Sequence, residues 1–372
     1  MRFNSNGIVL IVIAALFIVG CSSHDTTGKT KENNVQIQDG MILESTYQLI
    51  DTWKVNDDDG VKQIHDLNPP NSLDYITDVE WFNKLRLWLR ETCDQGPEAF
   101  SFPFYPPLMV ELMRNDQNCR ATCGPFSVAY AGLLLSFDIP VRIVHAFSFS
   151  RDSTIESHTF TEVWSDQLQK WIVEDVYLNI FWMDTEGNPV SARELQYEFT
   201  SGKDPAEIRV TPRKDMNDPP WTENEMGDFF YRLVICNQSN YFYAYSVPYL
   251  EYQKGFLFHL MRPKEDEAQD PGWLAYKEKM MITDSDDLSE IYAPVNQIEI
   301  DMMEQKEAYV FNFHNNIFNF DHYEINANSI DWQPFEGEQL ILRKDEIQPK
   351  EVILIRGVSE RNHRTATCSI SF

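Results

Sequence analysis

The sequence predicts an α+β protein in which a helical N-terminal part is followed by strands. Between residue 41 and about residue 91, apolar residues recur mostly every three or four positions, the spacing of helices that pack on one side. From Arg142 onward the spacing becomes two, the period of strands. Beyond about residue 205, short strand-like runs with frequent turns predict a β-rich region that ends in a sandwich over about residues 290–372.

The composition is that of a folded protein with more than one domain. With 372 residues, 43% hydrophobic and 13% aromatic, the chain has the length and the apolar residues for two cores. We expect the first unit in residues 41–205 and the β-rich region in residues 206–372. The net charge of −27 argues against nucleic acid as a partner, since such binding requires clusters of Lys and Arg.

The start of the chain has the features of an export signal. Arg2 precedes the apolar run IVLIVIAALFIVG at residues 8–20, which is shorter than the roughly 20 residues of a membrane-spanning helix. The run ends at Cys21 and resembles a bacterial lipobox. This resemblance implies that residues 1–20 are a signal peptide and that Cys21 is lipidated; an anchoring helix in the inner membrane is the alternative.

The residues after Cys21 are polar and poor in apolar anchors, so residues 21–40 are expected to form a flexible tether. Ser22, with no Asp after the cysteine, resembles lipoproteins that are sent to the outer membrane. We therefore expect a lipid-anchored protein of the cell envelope, facing either the periplasm or the medium.

Two amphipathic helices are predicted before residue 91, in ILESTYQLIDTW (42–53) and VEWFNKLRLWLRE (79–91). The acidic stretch between them, NDDDGVKQIHDLNPP, is expected to be a loop. It fails the calcium-loop pattern, because Val55 stands where the first ligand belongs and Gly60 would then take the sixth position.

Cys123 begins an apolar stretch that predicts a helix, with Thr122 as a candidate N-cap. The buried face is predicted to consist of residues at helical spacing: Phe126, Tyr130, Leu133, Leu134 and Phe137. The unsatisfied amides and the dipole at a helix start favour a thiolate, so Cys123 is a candidate nucleophile. The alternative is a small buried residue, the role of most cysteines.

Two further candidates lie on predicted strands. Alternation in HTFTEVW places His158 on the same face as Glu162, and Asp175 ends the apolar strand KWIVED. An imidazole can accept the thiol proton, and a carboxylate can hold its second nitrogen. Glu174 is an alternative carboxylate and His145 an alternative base, while strand or turn residues without a catalytic role are the other interpretation.

The order and spacing of these elements resemble the transglutaminase-like superfamily. Its core has a cysteine before a helix, a turn of GIPAR type, the pattern H-x-x-x-E-V, and then W and D on the next strand. This chain has Cys123, DIPVR at 138–142, HTFTEV from His158, Trp171 and Asp175. The resemblance implies a papain-like core, in which the helix that bears the cysteine packs on an antiparallel sheet.

Three departures from the family pattern accompany the match. Asp138 replaces the usual glycine before Ile-Pro, EDVY replaces DPT, and ATC replaces Gly-x-Cys. They lie beside the three candidate residues, so they put the fit of the substrate in doubt more than catalysis.

By resemblance, Cys123 is the nucleophile, His158 the general base and then acid, and Asp175 the group that orients His158. Such a triad attacks an amide or ester carbonyl and forms a thioester. The backbone amide of Cys123 is a candidate oxyanion donor, and Gln117 a second one by its offset, with a plain loop residue as the alternative. We expect no metal and no organic cofactor.

The C-terminal half carries weaker signals. Residues 323–372 resemble an Ig-like β-sandwich module. An aromatic cluster either lines a binding surface or, as such residues more often do, fills a core: Trp221, Phe229, Phe230, Tyr231, Tyr241, Phe242 and Tyr243. Five cysteines remain besides Cys21, so at least one thiol stays unpaired; the pairing of Cys93, Cys119, Cys236 and Cys368 is open.

The expected activity is cysteine-dependent cleavage of an amide bond in a peptide, protein or cell-wall substrate at the envelope. Water as acceptor gives hydrolysis and an amine gives transamidation; exported bacterial members of the family resemble peptidases and amidases, which favours hydrolysis. A catalytically silent binding or scaffold lipoprotein and a protein cross-linking enzyme are the alternatives.

Overall fold

The structure is a computed structural model. It describes residues 35–43, 46, 53–72, 77–96, 105–147, 157–184, 186–200, 230, 232–236, 240, 242, 258–261, 282–284, 291–327, 331–348 and 351–372. The chain divides into two compact units, a continuous one over Gln48–Ala293 and a second one made of Met1–Tyr47 and Pro294–Phe372. Helices and a mostly antiparallel sheet in the first unit and strands in the second confirm the predicted α+β class.

The five helices whose bounds the structure describes lie in the continuous unit. They are α1 (Asp58–His65), α2 (Asp78–Arg90), α3 (Pro106–Asn115), α4 (Cys123–Leu135) and α5 (Ala192–Thr200). The strands of that unit are β2 (Asp94–Gln95), β3 (Arg120–Ala121), β4 (Val141–Phe147), β5 (Ser157–Ser165), β6 (Lys170–Asp175), β7 (Ile180–Phe181), β8 (Arg232–Cys236), β9 (Phe258–Met261) and β10 (Ile282–Asp284). The other unit contains β1 (Gln36–Gln38), β11 (Ile298–Glu304), β12 (Ala308–Asn315), β13 (Phe320–Asn326), β14 (Gln333–Phe335), β15 (Gln339–Arg343), β16 (Val352–Ser359) and β17 (Cys368–Ser371).

The stretch 56–70, expected to be a loop, contains helix α1. Asp57 caps this helix, because its carboxylate accepts a hydrogen bond from the Gly60 amide at 2.9 Å. Val61 and Ile64 are buried. The stretch was expected to be a loop because it is acidic, but the cap at Asp57 and the burial of Val61 and Ile64 stabilise a helix. Most of the helix predicted at 42–53 lies outside the described residues.

A seven-stranded sheet carries the continuous unit, in the order β10-β9-β8-β4-β5-β6-β7. Neighbouring strands are antiparallel except β9 and β10, which are parallel. Helix α4 packs against β4 and β5 and also against α3. Because α4 is apolar on all sides, it is buried on all sides, not on the one face predicted. Gly132 allows the close approach of α3, since a Cβ there would collide with Pro106.

Two opposite charges are buried in the middle of this sheet. Arg142 on β4 stands opposite Glu162 on β5, and its Nη2 lies 2.7 Å from Glu162 Oε2. The other carboxylate oxygen accepts from the Ala192 amide at 2.7 Å and from the Tyr292 hydroxyl at 3.2 Å. Arg142 also donates to the Ile291 carbonyl. This pair therefore joins four distant segments of the chain.

The domain boundary predicted at residue 205 is not a boundary between the units. Strand β8 pairs with β4, so the sheet that carries the candidate residues includes strands well beyond 205, and its unit extends to Ala293. The reason is that pairing between strands separated by long chain segments leaves no local mark in the sequence.

The second unit consists of two antiparallel sheets, ordered β1-β17-β16-β13-β14 and β11-β12-β15. Apolar side chains from both sheets form one core, among them Ile300, Phe311, Leu340, Ile325 and Ile355. This arrangement is a β-sandwich within Pro294–Phe372 and the chain's early strand β1. Its Ig-like character stays a prediction.

Residues 36–38 were expected to belong to a flexible tether, and this is wrong. Gln36, Ile37 and Gln38 form β1, which pairs with β17. Residues 1–34, with the predicted signal peptide and Cys21, lie outside the described residues. Among the helices that are described, none is long and apolar enough to span a membrane.

Most of the predicted aromatic cluster also lies outside the described residues. Two members are described, Phe230 and Phe242, and both are buried. Phe230 packs in the core with Phe160 and Trp182, as the core interpretation expects.

We predict that Glu162→Gln lowers the free energy of unfolding by about 3 kcal/mol, because it leaves the Arg142 charge buried without its counter-charge. Guanidinium denaturation would measure the change. Asp66→Asn is the matched control, since it removes a carboxylate from an exposed pair with Lys62 and is expected to leave the midpoint nearly unchanged. Equal effects of both substitutions would contradict the stabilising role of the buried pair.

Candidate active site

Cys123 is the first residue of α4 and follows the short strand β3. Its N-cap is Thr122, as predicted, although the Thr122 side chain makes no capping hydrogen bond. The cysteine is half-buried, while the following helix residues from Pro125 onward are buried. The apolar helix therefore anchors Cys123, which keeps partial exposure at the helix start.

His158 and Asp175 come from neighbouring strands. His158 is the second residue of β5 and Asp175 is the last residue of β6, and both are buried. His158 Nε2 lies 2.6 Å from Asp175 Oδ2, and Asp175 Oδ1 accepts from the Leu178 amide at 2.9 Å. Asp175 thus fixes the imidazole by Nε2, and Nδ1 is the nitrogen left to exchange a proton with Cys123.

The three side chains shift one another's proton affinity. Burial lowers the pKa of His158, but the charge of Asp175, the hydrogen bond to it and the interaction with Cys123 raise that pKa to about 10. Burial raises the pKa of the Cys123 thiol, but the hydrogen bond and charge of His158 and the Thr159 amide bring it below its ordinary value. Both shifts favour a thiolate–imidazolium pair at neutral pH.

The start of α4 is also tied to β5 by a serine that the sequence reasoning missed. Ser127 Oγ lies 2.9 Å from the Cys123 carbonyl oxygen and 3.0 Å from the Thr159 carbonyl oxygen. Its hydroxyl therefore links the residue of the nucleophile to the residue after His158. A polar side chain four residues after Cys123, in an otherwise apolar helix, is the signal that was available.

The alternative candidates have other contacts. Glu174 forms a buried ion pair with Arg86, and burial, against the opposing charge of Arg86, raises the pKa of Glu174 to about 7. His145 Nδ1 lies 3.1 Å from Thr159 Oγ1, and burial lowers its pKa to about 4. His145 is therefore neutral at pH 7. Asp175, not Glu174, holds His158.

Gln117 lies exposed in the turn between α3 and β3. None of the contacts of the Cys123–His158–Asp175 group involves it, so its oxyanion role stays a prediction. A different glutamine, Gln95, donates to the carbonyl oxygen of Tyr177, in the turn that follows Asp175. No feature of the sequence around Gln95 marks it for this position.

Cys93 and Cys119 form a disulfide, which settles one of the pairings left open. It joins the segments of β2 and β3, two strands that pair in parallel, and β3 ends just before Cys123. Cys123, Cys236 and Cys368 are thiols, and the last two are buried. In the described part of the chain, no three His, Cys, Asp or Glu side chains gather as metal ligands would.

Residues 76–176 match the family model of the transglutaminase-like superfamily. This span contains Cys123, His158 and Asp175. No curated protein matches the chain. Among solved structures, the chain is similar to red sea bream transglutaminase, with 9% identity over 91% of this chain and 62% of that chain, and a TM-score of 0.29. The chain spans about three fifths of the length of that enzyme.

We predict that iodoacetamide alkylates Cys123 rapidly well below pH 8.5, because the lowered thiol pKa keeps thiolate present there. The alkylation rate should fall only as the pH drops through that lowered pKa. In His158→Ala the two largest lowering effects are lost and burial remains, so the rate at pH 6 should fall at least about tenfold. Mass spectrometry of the Cys123 peptide gives the rates, with Cys123→Ser as the background control. A rate that follows an ordinary thiol in both proteins would mean a packed cysteine.

Proposed function

We propose that this chain, whose residues 76–176 form a domain of the transglutaminase-like superfamily, is an enzyme that hydrolyses amide bonds in peptides or proteins through an acyl-thioester on Cys123. Cysteine-dependent acyl transfer or hydrolysis is the class of chemistry that the domain supports. The observation that carries the proposal is the half-buried thiol with a lowered pKa beside an imidazole that Asp175 holds at 2.6 Å.

In the acylation step, the Cys123 thiolate attacks the substrate carbonyl carbon and the electron pair of the C=O bond moves to oxygen. When the tetrahedral intermediate collapses, the C–N bond breaks and His158 gives its Nδ1 proton to the leaving amine. The acyl group is then a thioester. Asp175 keeps the ring in position and stabilises its positive charge before this transfer.

In the deacylation step, neutral His158 takes a proton from water as the water oxygen attacks the thioester. The C–S bond breaks, the acid leaves, and the thiolate–imidazolium pair is restored. The oxyanion needs donors in both steps, and the Cys123 amide is one candidate because the first amides of a helix lack partners within the helix.

The partial exposure of Cys123 supports hydrolysis over cross-linking. This residue is half-buried at the start of α4, so we expect water to reach a thioester there. A cross-linking enzyme must protect its thioester from water until an amine arrives. The silent-scaffold alternative is weaker, because a pure binding protein has no need for a buried His158–Asp175 pair beside a thiol.

We further infer that the protein acts at the cell envelope as a lipoprotein anchored through Cys21. Labelling of cells with an alkyne fatty acid tests this anchor. The support is the apolar run at residues 8–20 and the cysteine that follows it. Cys21→Ser should abolish labelling and Cys123→Ser should leave it unchanged. Labelling that survives Cys21→Ser would contradict the anchor.

The proposed activity is tested with residues 22–372, a fluorescent casein and a fluorescent primary amine. We expect release of casein fragments without incorporation of the amine. Cys123→Ala and His158→Ala should each lower the rate at least about 100-fold, because they remove the nucleophile or its proton donor. Glu174→Gln is the control: it removes a buried acid next to the triad but no member of it, and its rate of casein cleavage is compared with that of the two triad variants. Incorporated amine would identify a cross-linking enzyme, and no turnover of casein or of a peptide library would favour the scaffold.

A further inference from the structure

The turn that carries Asp175 also carries an aromatic ring beside His158. Tyr177 lies two residues after Asp175, in the turn that the Asp175–Leu178 hydrogen bond closes. Its ring centroid is 5.8 Å from that of His158 and 6.4 Å from that of Phe126, in the first turn of α4. Tyr177 therefore lies next to Asp175, to His158 and to the helix that begins at Cys123.

The backbone of Tyr177 is held from a distant part of the chain. Its carbonyl oxygen accepts hydrogen bonds from Arg90 Nη1 at 2.8 Å and from Gln95 Nε2. A carbonyl oxygen has two lone pairs, so these donors fill both. One donor is charged, and hydrogen bonds of that kind are the stronger ones.

Both donors are themselves fixed to the segment of the nucleophile. The Arg90 guanidinium lies 4.8 Å from the centroid of the Phe126 ring on α4. Gln95 is in β2, where it pairs with Ala121 of β3, two residues before Cys123. The disulfide between Cys93 and Cys119 ties these two strands together. One connected frame thus reaches from the start of α4 to the turn after β6.

We propose that Arg90 and Gln95 are positioning residues of this site: by sharing the Tyr177 carbonyl oxygen, they hold the Asp175 turn in register with the helix that bears Cys123. Both residues bind the backbone two positions after Asp175, so they act on the triad through the turn. The inference deepens the proposed function and rests on it for its catalytic meaning.

Loss of a donor loosens the turn, so the Asp175–His158 hydrogen bond is made less of the time. His158 then holds its proton less strongly and stabilises the thiolate less. The pH profile of Cys123 alkylation should shift to higher pH, with a rate at pH 6 about three- to tenfold below wild type and little change at pH 9. A purely structural role would lower stability without moving this profile.

The test compares Arg90→Met and Gln95→Leu with Arg114→Met. Arg114 is a close match to Arg90, because it also donates to a backbone carbonyl, that of Trp88, and its guanidinium lies 4.4 Å from an aromatic centroid. The readouts are the alkylation pH profile and the guanidinium unfolding midpoint. Arg90→Lys, which retains one charged donor, should recover part of the lost rate at pH 6.

The proposal holds if the Arg90 and Gln95 variants shift the profile and the Arg114 variant does not, at a comparable change in midpoint. It is overturned if their profiles coincide with wild type or if Arg114→Met shifts the profile equally. If Arg90→Met does not fold, the test uses Gln95→Leu, which removes only a neutral hydrogen-bond donor. Failure of the proposed function looks different, because wild type would then alkylate as an ordinary thiol or cleave no amide.

Discussion

Burial of charge in a sheet is the constraint on which the continuous unit depends. Arg142 and Glu162 face each other across β4 and β5 with almost no access to water, and a charge in such a place needs a counter-charge. The Glu162 carboxylate takes the amide at the start of α5 and the hydroxyl of Tyr292. Segments separated by more than a hundred residues therefore meet at one carboxylate, which explains why this unit extends so far along the chain.

The same constraint shapes the candidate site one strand away. Glu174 and Asp175 are consecutive and both buried, and alternation along β6 sends them to opposite sides, where each finds its own cation. Arg86 pairs with the first, although burial still raises the pKa of Glu174 to about 7, and His158 pairs with the second and keeps a proton. The positive imidazole in turn favours a negative sulfur. The lowered pKa of the Cys123 thiol is thus one part of a chain of charge compensation that runs through the sheet.

Much of the site could be predicted because its signals are local. The apolar helix after Cys123, the alternation around His158 and the acid at the end of KWIVED each occupy a few residues, and their order resembles one superfamily. Long-range pairing was not predictable: β8 beside β4 and β1 beside β17 leave no mark in local periodicity. The contact of Gln95 with Tyr177 depends on how β2 and β3 meet, and so does the disulfide between Cys93 and Cys119.

The two-segment composition of the sandwich has a consequence for biosynthesis. The continuous unit has all its residues once the ribosome has passed Ala293, whereas β1 must wait for β17. The continuous unit can therefore begin to fold first, while β1 lacks its partner β17 until the last described strand is made. The sandwich is therefore assembled around a segment that left the ribosome long before its partner strand.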